Sequence, residues 1–151
     1  MNRHKQPIRL LVVDDQDDQW HLIEWAFRQG LPTAHITRVT THSEAVSYLT
    51  DCLAQGWNFP DLVLLDLYMP KRQDGWQTLE AIRTLPVPLD RIPVVMLSSS
   101  DEPDDIREAY EHGCSSYMIK PTTQLEWLNY FQALQTYWWD TVSAPPMSHL
   151  I

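Results

Sequence analysis

The sequence predicts an α/β fold in which strand–helix units repeat around a mostly parallel, open sheet. Five strand-like segments alternate with five helical ones at spacings too short for separate domains. The first and third strands are almost wholly apolar, as strands covered by helices on both faces must be. Four apolar runs also end in chemically pointed residues: 8–13 in Asp14 and Asp15, 62–65 in Asp66, 94–97 in Ser98, and 117–119 in Lys120. In a parallel sheet those ends open on one edge, where open α/β sheets bind ligands.

The first strand, 8–13, and the third, 62–65, belong in the middle of the sheet. Helix one, about 18–29, carries Leu22, Ile23, Ala26 and Phe27 on one face and stops at Gly30, with Pro32 beyond. The second strand, 35–39, alternates His and Thr with Ile and Val, which suits a sheet edge. Helix two runs from a cap at Ser43 to about Ala54, with Ala45, Val46, Leu49, Cys52 and Leu53 on one side, and Gln55-Gly56 ends it. Helix three is short, around 76–85, with Leu79 and Ile82 inward. Helix four runs from near Pro103 to His112 behind Asp101, Glu102, Asp104 and Asp105, acids that suit a helix N-terminus; Gly113 is its stop.

Helix five, about 124–139, bears Trp127, Tyr130, Phe131, Leu134, Tyr137, Trp138 and Trp139, more aromatic surface than one core-facing stripe uses. Part of it is expected to meet a partner. Residues 141–151 contain Pro145-Pro146 and no periodicity, and read as an extended or disordered tail unless they pack on that aromatic surface. The expected organisation is an N-terminal extension at 1–6, one domain at 7–139 and a tail at 140–151.

The 151 residues carry 20 acidic against 11 basic side chains, a formal charge of −9, the wrong sign for a phosphate backbone or an anionic membrane. No nucleic-acid partner is expected. Cys52 and Cys114 show no CxxC or Cys/His ligand spacing and read as buried small hydrophobes in a reducing compartment. The polar N-terminus lacks a signal-peptide core, and no apolar run approaches the roughly 20 residues of a membrane span. The expected location is the cytoplasm.

Three carboxylates, a hydroxyl and an ammonium at one sheet edge describe phosphoryl transfer. Asp14 and Asp15 could cap helix one, but Asp17 and Asp18 could do so equally well, and a hard cation explains the adjacent pair better. Magnesium takes oxygen ligands, keeps several waters and is commonly held by one or two carboxylates plus a phosphate oxygen. Asp15 and Asp66 are the expected direct ligands, with Asp14 acting through a bound water. Asp66 could be a turn residue before Pro70, yet ending a buried strand on a carboxylate is costly unless a pocket or a charge partner receives it. An aspartate can also take a phosphoryl group and become an acyl phosphate. Lys120, kept extended by Pro121, would offset the added charge. Ser98 can donate to a phosphoryl oxygen, while Ser99 and Ser100 read as turn or cap residues before helix four.

In Val-Val-Asp14-Asp15, Leu-Leu-Asp66-Leu-Tyr-Met-Pro70, Asp74-Gly75, Val-Met-Leu-Ser98, Gly113 and Tyr117-Met-Ile-Lys120-Pro121, the chain resembles the receiver domain of bacterial two-component response regulators over about 7–139. The resemblance implies a doubly wound, five-stranded parallel sheet in order 2-1-3-4-5, flavodoxin-like, with helices on both faces. It implies magnesium-dependent transfer from a phosphohistidine to Asp66. The donor would be a sensor histidine kinase or a histidine phosphotransfer protein. It further implies a switch in which Ser98 moves toward the phosphate and Tyr117 turns inward, altering the surface of helix four, strand five and helix five. Tyr117 could equally be a half-buried strand aromatic. On this reading the chain is a phosphoacceptor with self-catalysed transfer and dephosphorylation, not an enzyme.

With no effector domain appended, it resembles stand-alone, CheY-like regulators. The extended helix five is similar to that of the single-domain group associated with phytochrome-type kinases, many of which dimerise; a homodimer through helix five is the matching expectation. The chain departs from the family twice. Tyr68 stands where Asn is frequent, which bears on hydrolytic water. One extra residue precedes Asp74-Gly75, which bears on the loop expected to offer magnesium a backbone oxygen from Tyr68. Two rival readings are a receiver-like binding module that never accepts phosphate, and an aspartyl-phosphate hydrolase. The clustered acids argue against the first, and Tyr68, standing where a second acid is needed, against the other.

Overall fold

The computed structural model describes residues 7–69 and 71–136. Strands β1 (Arg9–Val13), β2 (His35–Val39), β3 (Leu62–Asp66), β4 (Val94–Ser98) and β5 (Ser116–Ile119) alternate with helices α1 (Asp17–Gly30), α2 (His42–Gln55), α3 (Arg72–Arg83), α4 (Pro103–Glu111) and α5 (Gln124–Leu134). The strands form one parallel sheet in the order β2-β1-β3-β4-β5, with β2 at an edge and β1 and β3 inside, as the apolar patterns predict.

Alternation along each strand splits the core in two. Leu11, Val13, Val63, Leu65, Val94 and Met96 pack under α2, α3 and α4. Leu10, Val12, Leu62, Leu64, Val95 and Leu97 pack under α1 and α5. Fully burying each such side chain contributes about 1.5–3 kcal/mol, so this double covering holds the sheet flat against its helices. Both cysteines are free and buried.

The register positions the chemistry. Val13 pairs with Leu65, Asp66 with Leu97 and Ser98 with Ile119, so Asp14, Asp66, Ser98 and Lys120 emerge at one rim.

Several boundaries differ from the sequence reading for physical reasons. Helix α2 begins earlier than a Ser43 cap allows, because Thr41 is the cap: its hydroxyl accepts the Glu44 N–H at 3.1 Å, while Glu44 accepts the Thr40 N–H at 2.8 Å. Helix α3 starts at Arg72, four residues before the expected 76, held by Asp74 Oδ2 accepting the Lys71 N–H at 2.9 Å. Gly30 is the last residue of α1 and not a left-handed stop. A Cβ there would lie 3.0 Å from Phe131 Cβ, so its missing side chain admits α5 against α1.

The aromatic surplus of helix five also resolves differently over the described residues. Trp127 and Phe131 are fully buried, ring-stacked at 5.8 Å, and Phe131 meets Phe27 of α1 edge-on at 5.6 Å. Tyr130 packs on the same cluster. The core therefore takes these rings, and Tyr137, Trp138 and Trp139, like the extension at 1–6 and the tail at 140–151, lie outside the described residues. On the opposite rim from the acids, Arg83 donates to the carbonyls of Gly113 at 2.7 Å and Ile92 at 2.6 Å, tying the end of α3 to the starts of β4 and β5. Among the described residues no helix is long and apolar enough to cross a membrane.

Candidate functional site

Asp14 leaves the end of β1 fully buried. Its N–H still donates to Val39 at 3.1 Å, extending the ladder by one residue, and its Oδ1 accepts the Gln16 N–H at 2.8 Å. Its Oδ2 is buried without a hydrogen bond, 3.6 Å from the Lys120 ammonium. Burial pushes this carboxyl above its ordinary value, Gln16 and Lys120 pull it back, and the charge on Asp15 adds to the rise.

Asp66, only 3% exposed, ends β3. Its Oδ2 accepts from Lys120 Nζ at 3.1 Å and its Oδ1 from the Tyr68 N–H at 3.3 Å. Burial lifts the Asp66 carboxyl to about 6; Lys120 opposes that rise and Asp14 adds to it. Carboxylate oxygens of Asp14, Asp15 and Asp66 all lie within 4.8 Å of one another, with Asp15 exposed. One ammonium cannot balance three such charges. The all-oxygen donor set, together with the orphaned Asp14 Oδ2, fits a hard divalent cation.

Lys120 reaches inward because its backbone is fixed: its N–H donates to Ser98 O at 2.8 Å, and Gln19 Nε2 donates to the next carbonyl, Pro121 O, at 3.3 Å. Beside the ammonium opens a cavity of about 140 Å³ lined by Gln16, Gln19, Asp66, Tyr68, Ser99 and Lys120 among others, room enough for a phosphoryl group and water. Tyr68 is 40% exposed at this mouth. The loop beneath it is clamped: Leu67 N–H donates to Leu97 O at 2.9 Å, Gly75 N–H donates to Leu67 O at 3.1 Å, and a Cβ on Gly75 would stand 2.4 Å from that same oxygen. Only glycine allows α3 this close to the acid loop.

Ser98 is buried at the end of β4 with its Oγ accepting the Ser100 N–H at 3.0 Å, while Ser99 is the serine that lines the cavity. Tyr117 packs against the α2–α4 side of the core, and its hydroxyl donates to Ser100 O at 2.6 Å. The structure thus brings Asp14, Asp15, Asp66 and Lys120 into one cluster, sets Tyr68 at its mouth, and links Ser98 to Tyr117 through Ser100.

Sequence reasoning missed Arg38 and the two glutamines. Arg38 of β2 donates Nε–H to Asp14 O at 3.1 Å, meets Asp17 Oδ1 at 2.9 Å and lies over the Trp20 ring, 5.6 Å from its centre, bracing the acidic loop. A lone cation near the carboxyl end of an edge strand, beside four aspartates, was the available signal.

The sequence profile of the response regulator receiver domain matches residues 10–132. The chain is 33% identical over 143 residues to the probable methanogenesis regulatory protein FilR2 of Methanothrix harundinacea (strain 6Ac), covering 93% of this chain and 91% of FilR2. It is 37% identical over 86 residues to response regulator Rcp1 of Synechocystis sp., covering 57% of each. Among solved structures, the phosphorylated cyanobacterial phytochrome response regulator RcpA superposes with a TM-score of 0.78 at 30% identity, covering 93% of this chain and 99% of that one. The Mn2+-bound form of Rcp1 superposes with a TM-score of 0.75 at 28% identity, covering 93% of this chain and 100% of that one.

Proposed function

The chain belongs to the response regulator receiver domain family, and on that premise we propose that it is a single-domain response regulator accepting a phosphoryl group on Asp66 from a sensor histidine kinase or histidine phosphotransfer protein. The observation that carries this reading is the Lys120 ammonium between two buried carboxylates, 3.1 Å from Asp66 and 3.6 Å from Asp14, beside an open polar cavity.

Asp66 Oδ forms a bond to phosphorus as the donor's P–N bond breaks and its electron pair stays on the imidazole nitrogen. Lys120 offsets the charge that arrives, Ser98 donates its hydroxyl to a phosphoryl oxygen, and the Tyr68 ring stands between the acyl phosphate and bulk water. Asp14, Asp15, Asp66 and the Tyr68 backbone oxygen are the groups that would hold Mg2+; when bound, the ion neutralises charge on the phosphoryl oxygens. Hydrolysis returns Asp66 and releases inorganic phosphate, so the chain is a signalling phosphoacceptor and not an enzyme acting on a separate substrate.

Readout falls to the face of α4, β5 and α5, where Tyr110, Ile119 and Leu125 are exposed apolar side chains. RcpA is named as a phytochrome response regulator, which supports a phytochrome-type kinase as the donor here. A homodimer through helix five would use Leu125 on its exposed side, since Trp127, Tyr130 and Phe131 serve the core. The cytoplasm is where such a kinase presents its phosphohistidine.

The test is labelling with acetyl phosphate and Mg2+. One phosphoryl group per chain is expected on the wild type and none on Asp66→Asn with its fold intact. Labelling of the variant at equal stoichiometry would move the acceptor elsewhere, and a wild type that binds Mg2+ but never labels would leave the inert binding module as the reading.

A further inference from the structure

In the sequence Ser100 is the last of three serines in a turn. In the structure it stands where four hydrogen bonds cross. Its N–H donates to Ser98 Oγ at 3.0 Å, and its carbonyl accepts the Tyr117 hydroxyl at 2.6 Å. Its own hydroxyl donates to Asp105 Oδ2 at 2.6 Å, in the first turn of α4, and accepts the Glu102 N–H at 3.2 Å. The backbone pair reaches Ser98 at the end of β4 and Tyr117 near the start of β5; the side-chain pair reaches α4 and its N-cap, Glu102.

These bonds depend on one another. A residue's N–H and C=O directions follow from its φ and ψ, so anchoring the Ser100 side chain on α4 also sets where both backbone groups point. The anchor is of the stronger kind, a hydroxyl on a carboxylate at short range. Ser98 Oγ keeps its own proton free to donate while it accepts from Ser100, because a hydroxyl offers one donor and two lone pairs.

We infer that Ser100 is a positioning residue that couples Ser98 and Tyr117 to α4. It holds the Tyr117 hydroxyl inward and the Ser98 hydroxyl in place through a backbone whose direction α4 sets. This rests on the phosphoacceptor reading of Asp66. A phosphoryl group that favours this arrangement is bound more weakly by any variant in which the arrangement is less populated, in proportion to the lost population.

The experiment is a calorimetric titration of the full chain with beryllofluoride, a phosphoryl mimic, in the presence of Mg2+. Wild type, Ser100→Ala, Tyr117→Phe and the double variant are compared, with unfolding midpoints measured alongside. Ser100→Ala keeps the peptide N–H and C=O and loses both bonds to α4; it is expected to raise the beryllofluoride Kd about two- to tenfold. Tyr117→Phe should weaken binding similarly, and the double variant should be no weaker than the weaker single one, because both changes cut the same linkage. A Ser100→Ala chain with a lowered midpoint and an unchanged Kd overturns the inference, as do single effects that multiply in the double variant. A wild type that does not bind beryllofluoride overturns the phosphoacceptor reading itself, and this inference with it.

Discussion

The Lys120 ammonium lies 3.1 Å from Asp66 Oδ2, with the lysine side chain 8% and the aspartate side chain 4% exposed, so each charge has surrendered most of its hydration to the other. Breaking a buried pair from one side leaves the remaining charge uncompensated, a cost of about 3–5 kcal/mol. Lys120→Met should therefore destabilise the chain by about 3 kcal/mol at pH 8, and by less at pH 5, where Asp66 can neutralise itself with a proton. Urea unfolding at the two pH values measures this; equal losses at both would contradict a charge-based role. Acetyl phosphate labelling of the variant should slow about tenfold or more, the equivalent of 1.4 kcal/mol in the barrier.

Burial lifts the Asp66 carboxyl from 3.8 to about 6. Between those values the native state holds the proton and the unfolded chain has released it, so this group favours folding at low pH. That contribution is complete below about pH 4 and is lost as the pH rises through about 6, a change of roughly 3 kcal/mol. Asp66→Asn keeps the shape and loses the proton. In metal-free buffer, the stability of wild type relative to Asp66→Asn should fall from pH 4 to pH 7; a flat difference would mean that the acid is not desolvated in solution. Taking the difference cancels the opposing trend of Glu44 and Glu126, whose carboxyls hydrogen bonds hold low.

Three carboxylates gathered within 4.8 Å repel one another until a cation joins them. Mg2+ should raise the unfolding midpoint of the wild type by several degrees, since an ion at 100 times its Kd contributes about 2.7 kcal/mol. Asp15→Asn removes the exposed member of the cluster without disturbing the buried pair, and its magnesium shift should shrink to a small fraction. A full shift in that variant would remove Asp15 from the ligand set.

Tyr68 lines the cavity beside Asp66 and is itself 40% exposed. Tyr68→Asn opens that mouth to water. The labelled variant should lose its phosphoryl group about threefold faster, a change of roughly 0.7 kcal/mol in the barrier. Following the decay of labelled protein after removal of the donor gives the comparison. A variant that decays no faster, or more slowly, would show that the ring does not guard the acyl phosphate.

The strand ends were legible because physics confines the alternatives: an apolar run closed by an acid has few places to go in a parallel sheet, and one rule about sheet edges then aligns Asp14, Asp66 and Lys120. Helix α3 was misplaced because its first turn, Arg72-Gln73-Asp74, has no apolar period, and its start rests on an Asp74 bond to the Lys71 backbone. The part played by Gly30 depended on Phe131, a hundred residues away, and the fate of the α5 rings on Phe27. Arg38 and Ser100 stayed hidden for the same reason: each acts through partners that only the folded chain brings near.

The two ends of α4 are held unequally. At its C-terminal end the Arg83 guanidinium grips Gly113 and Ile92 together, binding the helix exit to the frame of the sheet. At its N-terminal end the Ser100 hydroxyl joins Asp105 and the Glu102 N–H to the turn that leaves β4. The contact far from the acids is thus made by another helix, and the contact near them by a residue of the β4–α4 turn itself. On the phosphoacceptor reading, a shift at the rim would therefore meet α4 at its N-terminal end, and Tyr110, exposed on that helix, would lie on the surface that changes.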